Sequence, residues 1–416
     1  MLQHPSFVND GYEKRPGCLP KGKLVLENLT PDEAQAIVDE YFESHWQECG
    51  KPACGELKHP YLVPGGPYQN MWDWDAYFTA CFVPESGIEH AKGSLLNLLE
   101  APLFEGRPTK KATAEGEYEY TMHPFPLRAQ FAAVIAKRIG DVEFLRKHWD
   151  ALIETIKWYE KDTCDQDGFF IWQNYSGIDN APSIYGRTLG TVAGIDLASF
   201  HVREYEAVSV LAEKLGLPDP CAGKAEKLSA MIRQYYYDKR QKFFYDIDRC
   251  CNVNPFISRQ YLTWVTRIIF RSCLGIFPLW SKSASAEQAE AVKNIMMDEE
   301  EFLSPVGFRT HSKADTEIYN NALSGNPSNW QGPVWGLTTG LAIYGLMNYG
   351  YKAEAEELAK RILILFASDI KQNGCLHEYY HADTAQPVMK PGFQNWNTMM
   401  YKILPNIRKG YNPMDF

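Results

Sequence analysis

Two carboxylates stand apart in this sequence because of what surrounds them. Asp179 lies in W-Q-N-Y-S-G-I-D-N-A-P (172–182) and Glu378 in G-C-L-H-E-Y-Y-H (374–381), both within long stretches rich in aromatic, glycine and amide residues. Taken singly, each has an ordinary explanation. An Asp in a turn caps nearby backbone N–H groups, and a Glu among polar residues can be a solvated surface side chain. Taken together they match the inventory of glycoside hydrolysis, which needs one protonated carboxyl for the leaving oxygen and one ionised carboxyl to activate water or attack the sugar. Aromatic neighbours that exclude water would raise the acid's pKa toward neutrality.

Two further stretches carry tryptophan beside polar groups. P-G-G-P-Y-Q-N-M-W-D-W-D-A-Y-F (64–78) delivers Trp72, Asp73, Trp74 and Asp75 into the start of a helix, and N-P-S-N-W-Q-G-P-V-W-G (326–336) brings Trp330 and Trp335 around a Gln-Gly-Pro turn. Core packing and helix capping account for such residues in many proteins. Flat indole faces beside hydrogen-bonding groups also suit sugar rings, and the chain is 13% aromatic with 11 Trp.

Other chemistries find less support. The sequence has no G-x-S-x-G elbow, no phosphate-binding glycine loop, no dinucleotide fingerprint and no H-E-x-x-H. Its net charge of −10, with no recurring Lys/Arg block, argues against nucleic acid as a partner. No apolar run reaches membrane-spanning length and the first residues lack the apolar core of a secretory signal, so the expectation is a soluble, cytoplasmic protein without a membrane partner. The ten cysteines are scattered without a zinc spacing and read as free thiols; neither metal nor cofactor is expected. Nothing in the sequence fixes the oligomeric state.

Helices must position these groups. T-P-D-E-A-Q-A-I-V opens one with Thr30 as cap, Pro31 in the first turn and Glu33 at the capping-box position. Amphipathic stretches follow near 70–84, 88–100, 127–139, 142–162, 195–216, 218–238, 258–273, 284–297, 334–349, 351–368 and 393–402, about twelve helices in all. The stretch 258–273 is β-branched enough to read as strand by propensity. Links between helices alternate: Gly140-Asp141 and Gly350-Tyr351 are short, whereas 101–126, 163–194, 298–333 and 369–392 are long. Alternation of this kind describes stacked helical hairpins with the long loops on one face. Without a fixed-period repeat or a linker, the chain reads as a single domain over 1–416, with 1–28 as an N-terminal extension.

In their order along the chain, W-x-W-D at 72–75, S-G-I-D-N-A-P at 176–182, F-x-Y-D-x-D at 243–248, F-P-L at 277–279, W-x-G-P-x-W at 330–335, and H-E-Y-Y with P-G-F-x-x-W at 377–380 and 391–396 resemble glycoside hydrolase family 63. The likeness is to its bacterial α-glucosidase-like members and to mannosylglycerate and glucosylglycerate hydrolases, and more distantly to trehalases. The resemblance implies an all-α (α/α)6 barrel of six hairpins. It also implies inverting hydrolysis of a small α-linked glucoside or related α-glycoside, with Asp179 as general acid and Glu378 as general base. Trp72, Trp74, Asp75, Trp330 and Trp335 match positions that line the sugar, with Tyr68, His123, Asn180 and Gln331 completing the substrate-facing set. Gln331 stands where many members carry Arg, and His123 where many carry Gln, so the sugar and aglycone stay open. A glycerate-type aglycone would call for a cation, with Arg187 and Arg309 as candidates. Two readings of another class remain: a sugar epimerase or lyase using His123, His377 and Tyr379, and a carbohydrate-binding protein without turnover.

Overall fold

Thr30 begins the first helix as its sequence dictates: its Oγ1 accepts from Glu33 N–H while the Glu33 carboxylate accepts from the Thr30 N–H at 2.8 Å. The computed structural model describes residues 23–174, 176–250, 265–321 and 328–416. Among these, twelve α-helices follow one another. They are α1 (Pro31–His45), α2 (Asp73–Phe82), α3 (Ile88–Glu100), α4 (Arg128–Ile139), α5 (Trp149–Asp162), α6 (Ile195–Leu215), α7 (Lys224–Met231), α8 (Phe277–Trp280), α9 (Ala286–Met296), α10 (Gly336–Asn348), α11 (Lys352–Asn373) and α12 (Ile403–Lys409).

Every second element belongs to an inner ring. α2 packs on α4, α4 on α6, α6 on α8, α8 on α10, α10 on the 3-10 helix Asn395–Met400, and that helix returns to α2. Six inner elements thus close on themselves, and α1, α3, α5, α7, α9 and α11 alternate with them along the chain. The expected six-hairpin toroid is the observed fold. Apolarity drives this arrangement: α2 and the Asn395–Met400 helix are buried along their whole length, as is α10 from Gly336 to Leu346, and helices buried all round belong in a core.

Ring closure sorts the loops. Connections from an inner element to the outer helix that follows are short, such as 83–87 and 349–351. Connections back to the next inner element are long: 46–72, 101–127, 163–194, 297–335 and 374–394. All of the long ones arrive where inner helices begin, so they share one end of the ring. Short strand pairs fasten them there: Met71–Trp72 to Lys111–Ala112, Ile171–Trp172 to Val192–Ala193, and Val334–Trp335 to Tyr379–Tyr380.

Several boundaries differ from expectation. The reading of 258–273 as helix fails over its described part, because Thr266–Arg267 pairs antiparallel with Ile247–Asp248; residues 258–264 lie outside the described residues. β-Branched residues favour that pairing over a helix. The stretch 142–162 splits into a 3-10 turn, Glu143–His148, and α5, while 218–238 gives α7, a π turn at Ile232–Tyr236 and a strand. The short helices α8 and α12 have too few turns to show a period in the sequence. Residues 24–27, expected in an N-terminal extension, lie against the barrel: the Leu24 N–H donates to Gln386 Oε1 at 2.9 Å and the Glu27 N–H to Ser368 Oγ at 2.9 Å. A single apolar core runs from Leu24 to Met414. Among the described residues, no helix is long and apolar enough to cross a membrane.

Candidate active site

The strand pair 71–72 with 111–112 fixes the first tryptophan-acid stretch at the mouth of the ring. Asp73 opens α2 and clamps it: Oδ1 accepts from Trp74 N–H at 2.7 Å and Oδ2 from Phe125 N–H at 3.0 Å. Its carboxylate is therefore structural, and burial raises its pKa. Trp74 stacks face to face on Phe125, with centroids 4.5 Å apart, and meets Trp396 edge-on at 5.2 Å. Asp75 accepts from Asn395 Nδ2 of the neighbouring inner element, and Thr79 Oγ1 in turn donates to Asn395 Oδ1 at 3.0 Å. Burial, and then the neighbouring charge of Asp73, push Asp75 up to about 7.

Asp179 sits in a turn ahead of α6, half-buried, with Ala181 N–H donating to Ile178 O at 3.0 Å. Its carboxylate hydrogen-bonds Ser328 of the loop before α10. Burial raises its pKa to about 6, against the opposing pull of Ser328 and the Lys110 charge. Gly177 explains the S-G-I-D order: a Cβ there would lie 2.4 Å from Trp74 Cη2 and 2.9 Å from Phe125 Cζ, so only glycine lets the acidic turn rest on that aromatic pair.

Glu378 precedes the strand Tyr379–Tyr380, whose pairing with Val334–Trp335 ties its loop to the one before α10. The preceding residue is anchored on the outer helix, where Asp369 Oδ2 contacts His377 Nδ1 at 2.7 Å and accepts from the Tyr380 hydroxyl at 2.6 Å. The Glu378 side chain, 5% exposed, accepts from the Tyr68 hydroxyl at 3.2 Å on both of its oxygens. Lys390 Nζ stands 5.3 Å from the Tyr68 ring centroid. Burial pushes Glu378 up to about 8; Lys390 and the Tyr68 hydrogen bond lower it, while the charges of Asp179 and Asp75 raise it. Asp75, Asp179 and Glu378 thus share one electrostatic environment, framed by Tyr68 and Trp74.

Other expected residues are near this centre in a different capacity. Asn180 joins loops: its Nδ2 donates to Asn329 Oδ1 at 3.0 Å and its Oδ1 accepts from Trp330 N–H at 2.7 Å. Gln331 Nε2 completes that seam by donating to Asn180 O at 2.9 Å. Trp335 does not offer a face to a sugar, because Trp330 stacks on it at 3.8 Å and Tyr379 at 4.6 Å. Trp330 itself is 1% exposed. These indoles form a column that holds the mouth loops in register. Trp72 is half-buried with Lys111 Nζ 5.6 Å from its ring centroid. His123 is packed on Tyr159 and Trp172, and its Nδ1 accepts from Gln173 N–H at 3.2 Å. His123 thus sits within aromatic packing, and His377 is held on Asp369. Neither proposed cationic anchor is free, since Arg187 pairs with Asp248 and Arg309 with Asp383 at 2.9 Å.

Three contributors escaped the sequence reading. Asn395 stands inside P-G-F-Q-N-W, a motif whose amide carried no assigned role. Ser328 had no signal beyond its loop. Lys110 was visible only as part of a basic doublet in a loop otherwise supplied with Glu.

A family profile described as the mannosylglycerate hydrolase MGH1-like glycoside hydrolase domain matches residues 68–396, a span from the tyrosine that contacts Glu378 to the tryptophan that meets Trp74. The chain belongs to this glycoside hydrolase family. Among solved structures, the family 63 mannosylglycerate hydrolase of Thermus thermophilus, in complex with Tris and D-glycerate, has a TM-score of 0.67 at 16% identity, covering 88% of this chain and 100% of that one. The neutral trehalase of Saccharomyces cerevisiae has a TM-score of 0.64 at 16% identity, over 94% and 83% of the two chains. Both are likenesses of fold. A periplasmic trehalase of Pseudomonas aeruginosa is 22% identical over 78% of this chain and a cytosolic neutral trehalase of Kluyveromyces lactis 23% over 85%. The chain spans 65% and 56% of the length of those two relatives.

Proposed function

We propose that this family member is an inverting α-glycosidase that hydrolyses a small α-linked di- or oligosaccharide or α-glucoside, working as one catalytic domain without a cofactor. The observation that supports the reading is that Asp179 and Glu378 come from separate long loops at one end of the closed ring, feel one another's charge, and are both pushed up by burial, to about 6 and about 8. In this scheme protonated Asp179 gives its proton to the glycosidic oxygen as the bond to the anomeric carbon breaks. Ionised Glu378 takes a proton from the water that attacks the opposite face of that carbon. Tyr68 orients Glu378, and Asp75, held by Asn395, offers an acceptor to sugar hydroxyls. Trp72 and Trp74 frame the sugar; Trp330 and Trp335 support the loops. The free thiols of the described cysteines support a reducing, cytoplasmic setting.

A narrower reading, hydrolysis of α-mannosyl- or α-glucosylglycerate, is favoured by the family match and by the relative solved with D-glycerate. Proton NMR of the protein with a panel of α-disaccharides and both glycosylglycerates tests both. Release of the β-anomer first is expected, with Asp179→Asn lowering turnover by at least about 1000-fold while sugar binding persists. Initial release of the α-anomer would overturn inversion, and release from no panel member would overturn the reading.

A further inference from the structure

Lys110 is fixed by its backbone and left open at its tip. Its N–H donates to Glu119 O at 2.9 Å and its carbonyl accepts from Asp73 N–H at 2.9 Å, so the residue is pinned between the loop before α4 and the start of α2. The side chain is 3% exposed, and its Nζ lies 5.0 Å from the centroid of Phe125, the ring that stacks on Trp74. Nζ has no hydrogen-bond partner among the described residues. Burial works against its charge, while the carboxyls of Asp73, Asp179 and Asp75 work for it. Those carboxyls already have other partners: backbone N–H groups for Asp73, Asn395 for Asp75 and Ser328 for Asp179.

An ammonium has three N–H donors and no acceptor, and a buried one without acceptors weakens a fold unless another role keeps it. We propose that Lys110 is a substrate-contacting residue whose ammonium donates hydrogen bonds to a hydroxyl oxygen of the sugar bound beside Asp75 and Asp179. The chemistry matches on both sides. A sugar hydroxyl is acceptor and donor at once, so it can take a hydrogen bond from Lys110 and give its own proton to the Asp75 carboxylate. An acceptor arriving with the substrate also gives the ammonium the partner that folding does not supply. The inference rests on the glycosidase reading.

The test uses Lys110→Met, which keeps the length and removes the donors, with Lys110→Gln as a second variant that keeps a neutral donor. The substrate is whichever panel glycoside the unsubstituted protein hydrolyses best, together with its monodeoxy analogues. Lys110→Met is expected to lower kcat/KM by about 10- to 100-fold, the loss of a hydrogen bond to a charged group, with an unchanged or higher Tm. For one sugar position the deoxy penalty of the unsubstituted protein should vanish in Lys110→Met, return in part in Lys110→Gln, and persist at other positions. Deoxy penalties all intact, turnover within about twofold, or a loss confined to glycosides with an anionic aglycone would overturn the inference. Failure of both variants to fold would also overturn it, since the ammonium would then be structural. If the unsubstituted protein hydrolyses nothing, the glycosidase reading falls and takes this inference with it. If it is active and Lys110→Met matches it, only this inference falls.

Discussion

At the residue scale, the proposed acid and base make the proton inventory of Asp179 and Glu378 the determinant of the expected working pH. Below about 6 both carboxyls are protonated and no base exists; above about 8 both are ionised and no acid exists. Between those limits the pair holds one proton. Taken one at a time, the two values would assign that proton to Glu378, the reverse of the proposed roles. Contacts in the occupied site argue for Asp179 instead. A glycosidic oxygen accepts from a protonated Asp179, whereas the Tyr68 hydroxyl and an attacking water both donate to an ionised Glu378. A bell-shaped profile of kcat/KM with limbs near 6 and 8 is therefore expected. Tyr68→Phe removes a bond that lowers the Glu378 pKa, so the basic limb near 8, the value Glu378 carries in the free protein, should move to higher pH, with kcat falling about tenfold. Limbs that stay in place in this variant would remove Tyr68 from the base's environment.

At the element scale, the loops matter as much as the ring they crown. Gly177 lets the Asp179 turn rest on Trp74 and Phe125, and Trp335 between Trp330 and Tyr379 locks the loops before α10 and after α11. Gly177→Ala would force a Cβ into a stacked pair that is itself buried, an overpacking that costs about 1–3 kcal/mol. The displaced element carries Asp179, the proposed acid, so kcat should fall by more than the stability change alone implies. A thermal melt beside a kcat measurement checks this, and normal kcat at reduced Tm would show that the turn relaxes elsewhere. The strand Thr266–Arg267 makes the same point from the other side: a segment that reads as helix by apolar period becomes an edge partner because Ile247–Asp248 is there to pair with it.

At the scale of the whole molecule, burial of carboxyls leaves a signature in stability. Asp75, Asp196 and Glu204 are raised to about 7 and Glu378 to about 8, so the folded chain holds protons that the unfolded chain has lost well below neutrality. Stability therefore falls as pH rises through these values. Buried His123 and His201 act oppositely, because burial holds them neutral, but their contribution is complete once pH passes about 6.5, the unfolded histidine value. Between pH 6.5 and 8 the carboxyls should dominate and Tm should decline. Scanning calorimetry across that range checks it, and a flat or rising Tm would contradict the neutral state of these groups.

The sequence by itself determined the helical ring and the stretches that crown it. Apolar period, capping residues and the alternation of short and long links are local signals, and Thr30 with Glu33 or Gly374 at the end of α11, φ 73°, answer to local physics. The spacing of W-x-W-D, S-G-I-D-N and H-E-Y-Y was legible for the same reason: short motifs report what a loop must hold. Tertiary structure alone decided which of those residues face one another. Asn180 and Gln331 match sugar-lining positions in sequence, and only the fold shows their amides joining two loops and Trp335 stacked by Trp330 and Tyr379. The converse holds for Lys110 and Asn395, ordinary in sequence and placed beside the carboxylates only when the ring closes. Period and capping act over one or two turns of chain. Hydrogen bonding and desolvation act between residues that are hundreds of positions apart and become neighbours only through the fold.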